Sequence, residues 1–447
     1  MMFDHLDSPL SPNYSDDDMG LKTSKSENIY AFRPFEFRLC VDDDVSSGPF
    51  PKPRSGHRIV CDSANLYSFG GYNPYISDSD EDLKDDPAWQ ECKPLFQELW
   101  RFNYATCKWR KLPCHSSMPK ELASNAVILD GGILLVYGGT GVPFGFKCSN
   151  SLYLCDITKG TEMKPVKPSR GTEPASQYGQ ALVLNGQWLY TMGGTTGFVY
   201  NSDVHRFNLR TQVWEEVYIC KGLSSHEPEG RYRHELAFDG RKIYVLGGGT
   251  ANESYGFQDI PALDLTTNVW ETITTKPDTR HSWSHTGHTG YPAPRRCHGC
   301  VQLPPEGGAE KGSVIISGGY NDHVMYGDVW RLDLNDMQWY FMLKCILPRA
   351  VYFHSAAVTP AGRMFTFGGI VENGIRTNQV CAAWVRIPKL AEMCWEAILY
   401  YSPRMTSEPR NKLINMGIPR EFVDRLDYPL PYETALEAPL GRRDQSH

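Results

Sequence analysis

The fold is decided by one stretch. It opens with Arg231-Tyr232-Arg233-His234 and runs to Ile243-Tyr244-Val245-Leu246-Gly247-Gly248. It then passes through Ala262-Leu263-Asp264-Leu265 to Trp270. β-Branched and aromatic residues dominate the run before the Gly pair, which reads as a strand. Two further short strands follow, the last opened by Trp270. One unit therefore holds four strands, counting the one entered by the Arg-His segment.

Working outward, the unit recurs. Gly pairs after apolar runs stand at Gly70-Gly71, Gly138-Gly139, Gly193-Gly194, Gly247-Gly248, Gly318-Gly319 and Gly368-Gly369, spaced 68, 55, 54, 71 and 50 residues apart. A fixed period near fifty is the signature of propeller blades, and the long spacings are expected to be loop insertions. The entry segment reappears as Arg54-Ser55-Gly56-His57, Arg295-Arg296-Cys297-His298 and Arg349 to His354, with weaker versions at Ser124-Asn125-Ala126 and Gln177-Tyr178-Gly179. Trp109, Trp214 and Trp339 recur in the place of Trp270. A β-sandwich with chance Gly pairs would not keep all three landmarks in phase. The expected fold is all-β: a six-bladed propeller over 35–388. Blade six meets Pro388 before an outer strand, and Phe35 to Val41 is the expected strand that completes it and closes the ring.

These landmarks resemble the kelch repeat. The resemblance implies a binding module rather than an enzyme, and the sequence agrees. No nucleophile elbow, phosphate loop or metalloprotease motif is present. His281, His285 and His288 precede Cys297, His298 and Cys300, a spacing that admits zinc. Structural zinc sites normally show two paired ligand motifs, and Cys297 and His298 already belong to the strand pattern, so no metal or other cofactor is expected. The acidic run Asp78 to Asp86 in blade one reads as a solvated, mobile loop, with Ser77 and Ser79 as phosphorylation candidates.

The formal charge of −7 argues against nucleic-acid binding. No apolar stretch is long enough to span a membrane. The start, Met1-Met2-Phe3-Asp4-His5, lacks the basic and apolar regions of a signal peptide. The 13 Cys are scattered, which fits reduced thiols in the cytoplasm or nucleus. Residues 1–34 and 429–447 are expected to be disordered.

After the ring the composition changes. Leu390, Cys394 and Ile398 fall four apart and share one face of an expected helix. This resembles a BC box, by which ubiquitin-ligase receptors insert into elongin C. Downstream, Ile418, Pro419, Phe422 and Leu426 match a cullin-2 box. Leu413 to Gly417 between them reads as a helix with a Gly cap. The tail over 389–428 is thus read as a docking unit, against the alternative of a helical appendage packed on the ring.

Six kelch blades followed by these boxes resemble the kelch-type substrate receptors of cullin-2 ubiquitin ligases. That resemblance implies elongin B/C and cullin-2 as partners, and cargo read by C-terminal degrons ending in Gly, such as Pro-Gly, Ala-Gly and Trp-Gly. It also implies an alternative role, a scaffold that regulates a protein phosphatase in stress-kinase signalling. A free carboxylate needs fixed cations, for which Arg is best suited. The turns entering the first strands line one mouth of the ring. They supply the candidates for the cargo's C-terminus: Arg231, Tyr232, Arg233, Arg295, Arg296, Tyr178 and Tyr352. The receptor of this family with a known Gly-end preference carries an Arg in the loop after a Gly pair, whereas Thr250 to Tyr255 has none.

Overall fold

The computed structural model describes residues 29–40, 48–113, 117–280 and 289–428. His281, His285 and His288 lie outside these. Among the described residues no three His, Cys, Asp or Glu side chains converge as metal ligands. No helix among them is long and apolar enough to cross a membrane.

Six antiparallel sheets form the blades. Blade one comprises Arg58–Cys61, Asn65–Phe69, Leu99–Asn103 and Lys108–Leu112. Blade two comprises Ala126–Asp130, Ile133–Tyr137, Leu152–Asp156 and Lys164–Val166. Blade three comprises Ala181–Asn185, Trp188–Thr195, Tyr200–Asn208 and Val213–Tyr218. Blade four comprises Glu235–Phe238, Lys242–Leu246, Asp259–Asp264 and Val269–Thr274. Blade five comprises Gly299–Leu303, Ser313–Ser317, Val329–Asp333 and Gln338–Phe341. Blade six has Ser355–Val358, Arg363–Phe367 and Val380–Trp384.

The fourth strand of blade six is Arg38–Leu39, which pairs Arg38 with Ala382 and Leu39 with Cys381. Phe35 N–H donates to Trp384 O and Cys40 N–H to Val380 O, extending the clasp at both ends. Closure by the N-terminus is thus present through contacts from Phe35 to Cys40; Val41, the last residue of the expected strand, lies outside the described residues. Blade three gains a strand the sequence did not announce, Arg170–Gly171, parallel to Val213-Trp214. Gly171 lies so close to Trp214 O that a Cβ would be 2.0 Å from it, so only Gly fits there.

The blade landmarks have a packing cause. Each repeated Trp leans on the preceding blade: Trp109 on Phe367, Trp214 on Tyr137, Trp270 on Tyr218 and Trp339 on Phe257, with ring centroids 5.0 to 6.2 Å apart. These rings fill the wedges between blades with large apolar area. Blade two has no such Trp; Val166 in its outer strand and Met163 just before it join the flanking clusters instead. All twelve paired glycines have positive φ. The first Gly of a pair abuts the next blade; a Cβ on Gly318 would meet Val351 O at 2.5 Å and His354 at 2.9 Å. Such a backbone position excludes every other residue.

The acidic loop of blade one keeps its carboxylates in solvent, as expected, with Asp78 81% and Asp82 75% exposed, over an ordered base. Asp86 caps a short helix, α1 (Pro87–Cys92), by accepting from Ala88 N–H. Leu83, Trp89 and Phe96 form a small core beneath it. Lys52 binds Asp80 and Asp82, and Lys93 binds Asp78. The charge run is therefore tied down by neighbouring lysines.

The tail forms α2 (Leu390–Tyr401), α3 (Arg410–Asn415) and α4 (Arg420–Val423). Pro388 stands one residue before the N-cap Lys389 rather than inside the first turn. Gly417, at φ +89°, caps α3 as its sequence predicts.

Candidate functional site

The mouth is organised by six equivalent residues: Gly56, Ser124, Gly179, Arg233, Cys297 and Phe353. Each donates its N–H to the carbonyl of the equivalent residue in the preceding blade, at 2.8 to 3.3 Å. Gly56 completes the circuit by donating to Phe353 O at 3.3 Å. All six have positive φ, four of them without being Gly. That backbone costs about 1–3 kcal/mol per non-Gly residue, and such strain clusters at binding sites.

This hoop sorts the expected mouth residues by position. Those two before it reach back into the ring wall. Arg231 donates to Glu229 O and Gly247 O and stacks on Tyr255. Arg295 donates to Gly318 O and to both carboxylate oxygens of Asp328, and stacks on Tyr326. Arg54 does the same with Gly70 O and Glu98. All three are fully or nearly fully buried. Arg231 and Arg295 therefore brace the Gly pairs of their own blades and are not free to meet a ligand. One alternating motif supplies both braces and mouth residues, so the sequence alone did not separate them.

The residues one before the hoop face the mouth. They are Ser55, Ala123, Tyr178, Tyr232, Arg296 and Tyr352, each bridged to the residue after a Gly pair. Tyr178, Tyr232 and Tyr352 are half-buried. Tyr232 lies 6.3 Å from Tyr178 and 5.4 Å from Tyr200 between ring centroids, and Tyr352 stacks on Tyr320 at 4.9 Å. Arg296 is neutralised by both oxygens of Asp322 and donates to Ser254 Oγ at 2.9 Å.

Arg233 belongs to the hoop itself. Its guanidinium crosses the axis to Ser124 Oγ in blade two and stacks on Phe353 in blade six. It is buried, and its Nε has no hydrogen-bond partner among the described residues. Burial, and then the nearby Arg58, lower its pKa to about 10. A buried cation without a carboxylate thus forms the floor of an aromatic-walled mouth, an arrangement that favours an incoming anion. Directly below, Arg58 of blade one binds Glu235 of blade four at 2.7 Å across the channel.

One mouth residue was missed. Arg376, in the loop after Gly368-Gly369, donates to Ser55 Oγ at 3.2 Å and lies over Tyr72 and Tyr75. Its place after a Gly pair, in the loop of blade six rather than that of blade four, is the available signal. The histidines that follow the hoop are structural. His57, His234, His298 and His354 pack on Gly pairs of the preceding blade, and burial drives all four below the usual imidazole range.

The tail lies on the other side of the ring. It meets the hairpin ends of the strands, opposite to the Gly pairs. Arg101 donates to Asp427 at 2.9 Å, Asn103 Nδ2 to Arg425 O at 2.9 Å, and Trp384 Nε1 to Glu396 at 2.7 Å. Arg425 grips Glu392 with two bonds at 2.7 and 2.8 Å. A cavity of about 440 Å³ remains between α2 and blades six and one.

Within the tail, α2 has two apolar faces with different fates. Trp395 is 7% exposed and packs with Met405, Leu413, Phe422, Val423 and Leu426. Leu390 and Ile398 are 74% and 39% exposed, and Cys394 between them is also exposed. The expected elongin-facing triad is therefore left open. The expected cullin-facing set is divided. Phe422 and Leu426 are buried in the tail core, Ile418 is partly buried and Pro419 is exposed. Phe422 stands 5.3 Å from Trp395, so half of that box holds the tail together.

Comparison with known proteins gives a consistent picture. The KLHDC2/KLHL20/DRC7 Kelch-repeats domain matches residues 22–248, 89–289 and 218–369. The Kelch domain-containing protein 10 homolog of Drosophila melanogaster is 43% identical over 412 residues, covering 89% of this chain and 66% of that protein. Kelch domain-containing protein 10 of Xenopus tropicalis is 43% identical over 378 residues, covering 84% and 86%. The Homo sapiens protein of that name is 42% identical over 378 residues, covering 84% and 80%.

Proposed function

The chain belongs to the kelch-repeat family together with the Kelch domain-containing protein 10 group, and on that premise we propose that it is the substrate-recognition subunit of a cullin-2–elongin B/C ubiquitin ligase. In this reading the kelch scaffold performs no chemistry. It holds a cargo C-terminus ending in Gly at the mouth, and the tail carries ring and cargo to elongin C and cullin-2. Its contribution is effective concentration at the ubiquitin-loaded enzyme.

The observation that carries this reading is the open face of α2. A helix that existed only to pack on the ring would bury its apolar residues. Here one face is buried around Trp395, while Leu390, Cys394 and Ile398 stand in solvent at the spacing of a helix-in-groove ligand. The mouth supports the other half, with Arg233 beneath it, Arg376 beside it and tyrosines around it. With Phe422 and Leu426 buried, the part of the cullin box open to a partner in this reading is Ile418 and Pro419.

The test is co-purification with elongin B/C and cullin-2. Polar replacement of Leu390 and Cys394 together is expected to abolish it without lowering the melting temperature. Undiminished elongin binding by that folded variant would refute the reading.

A further inference from the structure

The loops of blades one to three carry an apolar patch that nothing above has used. Tyr75, Phe146 and Phe198 are 77%, 73% and 69% exposed, with Val199 beside them. Phe146 meets Phe198 edge to face at 5.4 Å, and Phe144 meets Tyr72 in the same way at 4.8 Å. Contiguous exposed apolar surface on a folded domain marks an interaction site.

The patch is held in place. The loop tips of blades two and three touch through glycine: a Cβ on Gly145 would fall 2.9 Å from Gly197 Cα. Gly145 N–H donates to Thr140 Oγ1 at 3.3 Å and Gly197 N–H to Thr195 Oγ1 at 3.0 Å. Cys148 Sγ links both loops through Gly145 O and Thr196 O. Surface aromatics on preset loops lose little entropy on binding.

The patch is also continuous with the mouth. Tyr72, Thr140 and Thr195, which follow the Gly pairs at the roots of these loops, bridge directly to the mouth residues Ser55, Ala123 and Tyr178. On the opposite rim the corresponding loops of blades four and five present Glu253, Asp322 and His323 instead. A chain leaving the mouth therefore meets exposed aromatic rings over blades one to three, whereas the corresponding loops of blades five and six expose the aliphatic Val324 and Ile375 among the described residues.

We propose that this patch is a second subsite, which takes large apolar or aromatic side chains of the cargo segment just upstream of its C-terminus, bound as an extended chain. The proposal rests on the mouth reading above and adds a length and composition requirement to it.

The test compares two peptides with the same Ala-Gly end, a tripeptide and a long one with Phe and Leu upstream. Binding is read by calorimetry to the full chain. The long peptide is expected to bind more tightly. The double variant Phe146→Ser with Phe198→Ser is expected to lose about tenfold to hundredfold for the long peptide only. Tyr75→Ser, on a separate loop, should lose in the same direction. Equal affinity of both peptides for the wild type, or unchanged long-peptide binding in both folded variants, overturns the second subsite and leaves the mouth reading intact. If neither peptide binds more tightly than its C-terminal amide, the mouth reading fails, and this proposal with it. Concentration-dependent dimers that dissociate in the Phe146/Phe198 variant would assign the patch to a second copy and likewise overturn it.

Discussion

Replacing Arg233 by Met separates a ligand-binding cation from a structural one. In the free protein the Arg233 guanidinium is buried, and its pKa falls from 12.5 to about 10 because burial disfavours the charge and Arg58 repels it. That corresponds to about 3 kcal/mol held against the charged form. The sign is that of a depressed cation: the penalty is fully present at neutral pH and is relieved only as the pH rises through 10. Met removes it. Against this stand the hydrogen bond to Ser124, about 1 kcal/mol, and the stacking on Phe353, about 1–2 kcal/mol. The net change in folding stability is expected to be near zero or slightly favourable. Affinity for a peptide with a free terminal carboxylate should fall instead, by about 1.5–3 kcal/mol for one lost charged hydrogen bond. Urea unfolding gives the first number. Calorimetry with a peptide ending in Ala-Gly, as acid and as amide, gives the second. A variant that loses several kcal/mol of stability while binding the acid unchanged would show Arg233 to be a brace like Arg295, and the reasoning about the mouth floor would be wrong.

Further outcomes follow from the same structure. Arg295→Met removes the cation that grips both carboxylate oxygens of Asp328 in the ring wall and should cost about 3–5 kcal/mol of stability, read by urea unfolding. Glu98 behaves as a buried carboxylate rescued by its neighbours. Burial raises its pKa, but Arg54, Lys111 and Trp100 outweigh this and hold it at about 2. Its roughly 3 kcal/mol of stabilisation is present above about pH 4.5 and is lost as the pH falls through 2. Wild type and Glu98→Gln should therefore converge in stability on acidification, and a constant gap would contradict this. Trp395→Ala should destabilise the tail by about 3–5 kcal/mol, giving a lower tail melting temperature and early proteolysis there, whereas Leu390→Ser should leave both unchanged. Deleting residues 1–40 removes the Arg38–Leu39 clasp and the contacts of Tyr30 with Tyr400 and Tyr401. It should lower the melting temperature of the ring and loosen α2 together, visible as faster amide exchange in both.

The sequence was most legible where backbone geometry admits one residue. Gly318 must be Gly because Val351 O and His354 of the next blade occupy the space of a side chain. Such positions repeat with the blade and can be counted. The clasp was legible for a related reason, since blade six lacks an outer strand and the residues before blade one have the strand pattern. The site was read less well. Arg231, Arg233, Arg295 and Arg296 look alike in the sequence, yet one is a floor, one an ion pair and two are braces. Their roles depend on position relative to the hoop and on partners such as Asp328 and Asp322, more than twenty residues away. The tail shows the same limit. Apolar spacing marked Leu390 and Phe422 equally, and only the packing around Trp395 divides them into a face left open and a face consumed by folding. The acidic loop was legible as solvated surface, but its lysine partners were not, because Lys52 and Lys93 flank it at a distance.

The hoop of six backbone hydrogen bonds has a consequence for how this molecule comes apart. An open array of repeats has two ends, and each can fray while the rest stays folded. A closed circuit has none. Removing one blade breaks two of the six bonds and the packing on both of its faces, so partial unfolding gains little chain freedom for what it loses. The ring is expected to melt as one cooperative unit, and to remain intact while the segment it holds is pulled away.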